Sequence, residues 1–237
     1  MLYVPTRLVQ NPNAKCAVYV ATRNIYQYML PSIRSLIAHT NVDRIYLLVE
    51  DDELPYKLPN ECEIINMTGQ TMFLPSDNHY NTYWSYMILF RVALDKIFPN
   101  LNRILSLDVD TIITEDISNI WDIPLGDNYL AATEEPDRRC GNVTYHNMGV
   151  TLFNLKKIRE DGVSNKMIQA IKTEWYQYPE QDCINKYCQG KIFNLPSEYN
   201  SGVVGASPQR KIIHFACCPT AYWWQDEMVK RYKNYNG

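Results

Sequence analysis

"RILSLDVDTII", residues 103–113, decides how this chain reads, because it places two carboxylates inside a largely apolar run. Charged side chains are almost never fully buried without a partner. Leu105 and Leu107 before the pair, and Ile112 and Ile113 after it, make the segment a strand. In extended chain, residues two apart point to the same side, which aims Asp108 and Asp110 together and turns Val109 away. Two converging carboxylates repel unless a cation sits between them. A hard divalent ion, Mn²⁺ or Mg²⁺, is the simplest partner, and such an ion commonly completes its shell with substrate phosphates. On the pair alone a second reading stays open, two surface aspartates that begin a loop.

Outward from this stretch the chain alternates short apolar runs with amphipathic segments. "CAVYVAT" (16–22), "RIYLLVE" (44–50), "CEIINM" (62–67), "YLAATEE" (129–135), "GVTLFNL" (149–155) and "KIFNLP" (191–196) read as strands. "NIYQYMLPSIRSLIAHT" (24–40) reads as a helix. So does "NTYWSYMILFRVALDKIF" (81–98), where Tyr83, Met87, Phe90, Leu94 and Ile97 form a stripe toward a core. "TIIT" (111–114) continues the strand pattern, Asp116 is placed to cap a short helical turn, and residues 164–189 read as helical. Alternating strands and helices predict an α/β sheet, in which ligands sit beyond the C-terminal strand ends. Asp108 and Asp110 stand at such an end.

The 237 residues carry no repeat, low-complexity tract or linker, so a single domain is expected. It has a lead-in over residues 1–15 and a basic tail over 225–237. A formal net charge of −3 gives no general attraction to nucleic acid. No run approaches the roughly 20 apolar residues of a membrane span, and the opening residues lack a signal-peptide pattern. Seven cysteines in no common zinc spacing read as reduced thiols of a cytoplasmic protein. Eighteen tyrosines and five tryptophans suit sugar or base contacts and equally suit a core.

"SYMILFRVALDKIFPNLNRILSLDVDTIITEDISNIW" resembles the central segment of the family 8 glycosyltransferases: an aromatic-rich helix with an arginine, a strand ending Asp-x-Asp, and a following "D-I-x-x-I-W". "VATRNIY" (20–26), "HNMGVTLFNL" (146–155), "PEQDCIN" (179–185) and "NLPSEYN" with "IIHF" (194–200, 212–215) are similar to further family segments, in the family's order. The resemblance spans residues 16 to 224. It implies an α/β fold of GT-A type, a nucleotide-binding domain whose central sheet is mostly parallel with helices on both faces. It also implies transfer of a hexose (glucose, galactose or an N-acetylated relative) from a UDP-sugar to a hydroxyl acceptor, with retention of anomeric configuration.

The resemblance implies Mn²⁺, with Mg²⁺ as the alternative, held by Asp108, Asp110 and His214. Ala21, Thr22 and Tyr26 match the uridine loop, the tyrosine ring stacking on the base. Arg91 and Val109 match donor contacts, and Asn147 and Gly149 match the donor-sugar loop, where Met148 would narrow the pocket. Gln181 matches the residue beneath the anomeric carbon, and Asp182 the acid after it. Glu180 stands where the family usually has Asp. The acceptor is expected to be a saccharide, glycan or protein.

One departure bears on activity. After His214 the family carries a lysine that contacts the diphosphate; here "HFACCPTAYWW" has Thr220 or Ala221 in its place. Arg23 or the tail residues Lys230 and Arg231 are the expected substitutes. If none serves, the alternative is a nucleotide-sugar-binding protein with reduced or lost transfer. Trp223 and Trp224 read equally as sugar platforms or as core and surface. A nucleotidyltransferase is disfavoured because "VATRNIYQY" lacks the glycines of a phosphate loop.

Overall fold

The computed structural model describes residues 9–83, 85–140, 143–202, 209–216, 218 and 220–234, without the side chains at 137, 139, 140 and 143. In chain order the elements are β1 (Cys16–Val20), α1 (Tyr26–His39), β2 (Arg44–Val49), β3 (Cys62–Asn66), α2 (Leu94–Ile97), β4 (Arg103–Leu107), β5 (Thr111–Ile113), β6 (Leu130–Cys140) and β7 (Val143–Asn154). They continue with α3 (Leu155–Asp161), α4 (Val163–Thr173), α5 (Pro179–Tyr187), β8 (Ile192–Asn194), β9 (Ile212–His214), α6 (Thr220–Trp223) and α7 (Glu227–Lys233).

The seven-stranded sheet has the order β3-β2-β1-β4-β7-β6-β8. Pairing is parallel except where β7 meets β4 and β6. All five residues of β1 are buried, as a strand covered on both faces requires. On one face Ala17, Tyr19, Ile45, Leu47, Leu105 and Leu107 pack against Met29, Ile33 and Leu36 of α1. On the other, Val18, Tyr46, Leu48 and Ile104 join Leu94, Ile158, Met167 and Ile184 from α2 to α5. The mostly parallel α/β sheet with helices on both faces is as the sequence led one to expect.

Several local expectations change. "TIIT" leaves the main sheet: β5 pairs antiparallel with β9 in a two-stranded sheet, Thr111 opposite His214. The helix expected over 81–98 begins only at Tyr86, where the Ser85 hydroxyl accepts from the Met87 N–H at 3.1 Å. It runs as a 3₁₀ helix to Ala93 before α2. Tyr83 lies outside it and is 94% exposed, while Met87, Phe90, Leu94 and Ile97 are buried as the stripe predicts. Residues 164–189 form two helices with a break before Pro179, which opens α5 as its fixed φ favours.

Asp116 holds a turn by accepting from the Ser118 N–H at 2.7 Å rather than starting a helix. Within the stretch read as a basic tail, Glu227–Lys233 form α7, with Val229 and Tyr232 buried and Arg34 of α1 donating to the Tyr232 carbonyl at 3.1 Å. Cys16, Cys62, Cys183, Cys188 and Cys218 are free thiols; Cys217 lies outside the described residues.

Candidate active site

β4 ends at Leu107, and Asp108 to Asp110 make the turn into β5. The Asp108 N–H donates to the Gly149 carbonyl at 2.8 Å, and the Thr111 hydroxyl donates to the Asp108 carbonyl at 2.8 Å. The two carboxylates therefore converge through a fixed turn and not through extended chain, and Val109 is not turned away: it lines a cavity with them.

The β5–β9 pairing delivers the third group. Asp108, Asp110 and His214 place one ligand atom each within 4.8 Å of one another. His214 Nε2 lies 3.5 Å from Asp108 Oδ2 and 3.4 Å from Asp110 Oδ1. Gly149 lets this happen, because a Cβ there would stand 2.1 Å from His214 Cε1 and 2.8 Å from Asp108 Oδ2. Two carboxylates and an imidazole suit a divalent transition metal such as Mn²⁺, so the donor set fits the expected ion.

Arg91 is 4% exposed and does not snorkel to the surface. Its guanidinium forms an ion pair with Asp108 and reaches Glu180 Oε1 at 3.4 Å and the Met148 carbonyl at 3.4 Å. Burial alone would raise the Asp108 carboxyl; Arg91 and then His214 outweigh it and hold it well below the usual carboxylate range. Burial pushes Glu180 up to about 7, with Arg91 pulling back and Asp108 adding. Burial disfavours charge on His214, yet Asp110 and Asp108 lift it to about 10.

Two cavities meet at Ile88, Arg91, Asp108 and Asp110. In a 3₁₀ helix residues three apart eclipse, so Ile88 and Arg91 present one face to both. The first is lined by Ala21, Thr22, Tyr28, Val109, Thr220 and Trp223. Tyr26 is not part of it. The ring is 4% exposed, and its hydroxyl accepts from the Glu50 N–H at 2.8 Å and donates to Asp51 at 3.0 Å. Tyr28 and Ile25 stand at the cavity instead, because helix α1 turns Tyr26 into the core. The Ala21 N–H is already bonded to the Leu48 carbonyl at 3.1 Å.

The second cavity is lined by Glu135, Arg138, Asn147, Tyr178, Glu180 and Gln181, with Gly202 and His214. Gln181 accepts from the Met148 N–H at 2.9 Å and donates to the Tyr145 hydroxyl at 3.1 Å. Asp182 does not line the cavity: its two oxygens take the Tyr145 hydroxyl at 2.5 Å and the Tyr178 N–H at 2.9 Å. Met148 is buried in the core and does not narrow the pocket.

The family model for glycosyl transferase family 8 matches residues 6–223. The chain belongs to this family. Among curated relatives, the glycosyltransferase GlyE of Streptococcus pneumoniae is 30% identical over 207 residues, covering 79% of this chain and 48% of GlyE. The lipopolysaccharide 1,2-glucosyltransferase of Escherichia coli is 30% identical over 132 residues, covering 50% of this chain and 39% of that protein. The chain thus spans about half the length, or less, of these relatives. The crystal structure of GlyE superposes with a TM-score of 0.72 at 20% identity, covering 94% of this chain and 61% of that one. That of the galactosyltransferase LgtC with donor and acceptor sugar analogs gives 0.67 at 20% identity, covering 92% and 93%. These likenesses establish the GT-A fold.

The substitutes expected for the family lysine do not reach the site. Arg23 is paired with Asp51 at 2.8 Å on the surface, Lys230 with Glu227 at 2.9 Å, and Arg231 lies over the Tyr232 ring. None of the three lines either cavity. Among the described residues, the arginine and lysine side chains that do are Arg91 and Arg138. Trp223 is 5% exposed and lines the first cavity beside Tyr28 and Phe215. Trp224 lies under Lys233, whose ammonium is 3.3 Å from the ring centre.

Asn200, Tyr145, Glu135 and Arg138 belong to the site without a clear signal in the sequence. Asn200 stood within a quoted motif, but nothing in the sequence paired it with His214. Tyr145 ties Gln181 to Asp182, and its alternation with His146 in β7 gave no sign of that.

Proposed function

We propose that this chain transfers a hexose from a UDP-sugar to an acceptor hydroxyl with retention at the anomeric carbon, in a reaction that requires Mn²⁺ or Mg²⁺. The observation that carries the reading is the meeting of two cavities at Asp108 and Asp110, with His214 beside them. The first cavity, walled by Ala21, Thr22 and Val109, takes the nucleoside. The second, with Asn147, Glu180 and Gln181, takes the sugar. The diphosphate lies across the junction.

Asp108, Asp110 and His214 would hold the ion, which when bound neutralises charge gathering on the departing diphosphate. Arg91 keeps Asp108 ionised and aimed, so the carboxylate is ready for a cation without rearranging. Asn147 and Glu180 offer polar groups to sugar hydroxyls. Gln181 presents an amide to the second cavity, held at both ends by Met148 and Tyr145. An amide is a weak nucleophile, which favours front-face attack by the acceptor hydroxyl over a covalent sugar–enzyme intermediate. Asp182 is a positioning residue: through Tyr145 and the Tyr178 backbone it sets Gln181 and the cavity wall.

Incubation with UDP-glucose or UDP-galactose, a saccharide panel and Mn²⁺ tests the reading. NMR of the product glycoside is expected to show the α-anomer, as in the donor. A β-linked product would contradict retention, and absence of UDP release from every donor would contradict transfer.

A further inference from the structure

The β6–β7 hairpin breaks its ladder beside the second cavity. Glu134 pairs with His146 and Arg139 with Thr144, so residues 135, 136, 137 and 138 of one strand stand opposite Tyr145 alone on the other. Bulges of this kind re-aim side chains and gather next to active sites. Here Pro136, which has no N–H to give to a ladder, sits inside the bulge, and Glu135 and Arg138 both line the cavity.

The two side chains are held apart in a particular way. Arg138 lies 4.3 Å over the Tyr178 ring and 5.3 Å from the Tyr145 ring, a cation–π seat that fixes the guanidinium. Its Nη1 stands 3.7 Å from Glu135 Oε2, beyond hydrogen-bond reach. That same Oε2 is buried with no hydrogen-bond partner among the described residues, and such orphaned acceptors call for a specific explanation. The pair is therefore matched in charge, and its carboxylate is left short of a hydrogen bond.

We infer that Glu135 and Arg138 form a subsite for a neutral acceptor saccharide, the gap between them bridged by adjacent sugar hydroxyls that donate to the carboxylate and accept from the guanidinium. An anionic acceptor is disfavoured, because it would meet Glu135 beside Arg138, and Asp108, Asp110 and Glu180 line the same cavity. The pair stands at the second cavity and not the first, on the side away from the nucleoside. This inference rests on the transferase reading, and deepens it by naming the acceptor's chemistry and the residues that select it.

The test is a saturation-transfer NMR titration of lactose, maltose, cellobiose and glucuronic acid into the full chain saturated with UDP and Mg²⁺. It is repeated with Glu135→Gln and Arg138→Gln. At least one neutral disaccharide is expected to bind, and each substitution to weaken it at least tenfold more than it weakens UDP. Binding of the neutral sugars undiminished in both variants, binding of glucuronic acid alone, or binding of none of the four to the unsubstituted protein overturns the subsite. Failure of UDP itself to bind the unsubstituted protein would instead count against the donor reading.

Discussion

His214 Nδ1 lies 2.8 Å from Asn200 Oδ1, and this contact decides which ring nitrogen faces the carboxylates. Asn200 in turn donates to Asn147 Oδ1 at 3.1 Å, which also accepts the Gly149 N–H at 2.9 Å. The Nδ1 proton of His214 is thereby committed to Asn200, and Nε2 points at Asp108 and Asp110. Such outer partners orient metal ligands and typically govern affinity 10- to 100-fold. Asn200→Ala is expected to weaken Mn²⁺ binding by about that factor, measured by electron paramagnetic resonance titration. Unchanged affinity would separate the ring's orientation from Asn200.

Gly149→Ala probes the same junction from the other side. The added Cβ would meet His214 Cε1 at 2.1 Å, so the ring must leave its position or the strand must shift. Overpacking of this kind costs about 1–3 kcal/mol. Calorimetry should show a lowered Tm and loss of most Mn²⁺ affinity; retention of both would mean that β7 yields easily.

Arg91→Ala should be severe. Arg91 is buried between Asp108 and Glu180, and its removal leaves carboxylates facing one another. Breaking a buried pair by deleting one partner costs about 3–5 kcal/mol, to be read from urea unfolding. Adding Glu180→Gln to Arg91→Ala should recover part of the loss, and absence of recovery would show that the two do not couple.

The pH dependence follows from Glu180 and His214. The Glu180 carboxyl is raised by burial from 4.5 to about 7, so between these values the folded state binds the extra proton. Its contribution to stability is full below about pH 4.5 and is lost as pH rises through about 7. Glu180→Gln removes that slope: its Tm advantage over the unsubstituted, metal-free protein should be larger at pH 8 than at pH 5. A difference independent of pH would contradict a raised Glu180.

For His214, burial is overcome by Asp110 and Asp108, which lift it to about 10, so the metal-free ring carries a proton that a metal must displace. Mn²⁺ affinity is then expected to rise with pH from 6 to 9, with proton release seen as a buffer-dependent binding enthalpy.

Much of the sheet was legible in the sequence because strands buried on both faces leave unbroken apolar runs, as in "CAVYV" and "RIYLLV". The 3₁₀ stretch from Tyr86 was hidden because steps of three and four residues satisfy either helix. Tyr83 extended the stripe by chance. The Asp108–Asp110 pair could be read from two positions in one segment, but the separate β5–β9 sheet that brings His214 to it depends on pairing across a hundred residues. The bulge that turns Glu135 and Arg138 into the cavity leaves only Pro136 as a trace, and one proline in a strand does not say where its neighbours aim.

Asp108, Asp110 and His214 are expected to hold a divalent ion against a nucleoside diphosphate. Calorimetric titration of UDP into the protein with and without Mn²⁺, alongside Asp110→Asn, tests it most directly. UDP is expected to bind only with Mn²⁺ present, and binding is expected to be lost in the variant. UDP binding of equal strength without the ion, or undiminished in Asp110→Asn, would contradict it.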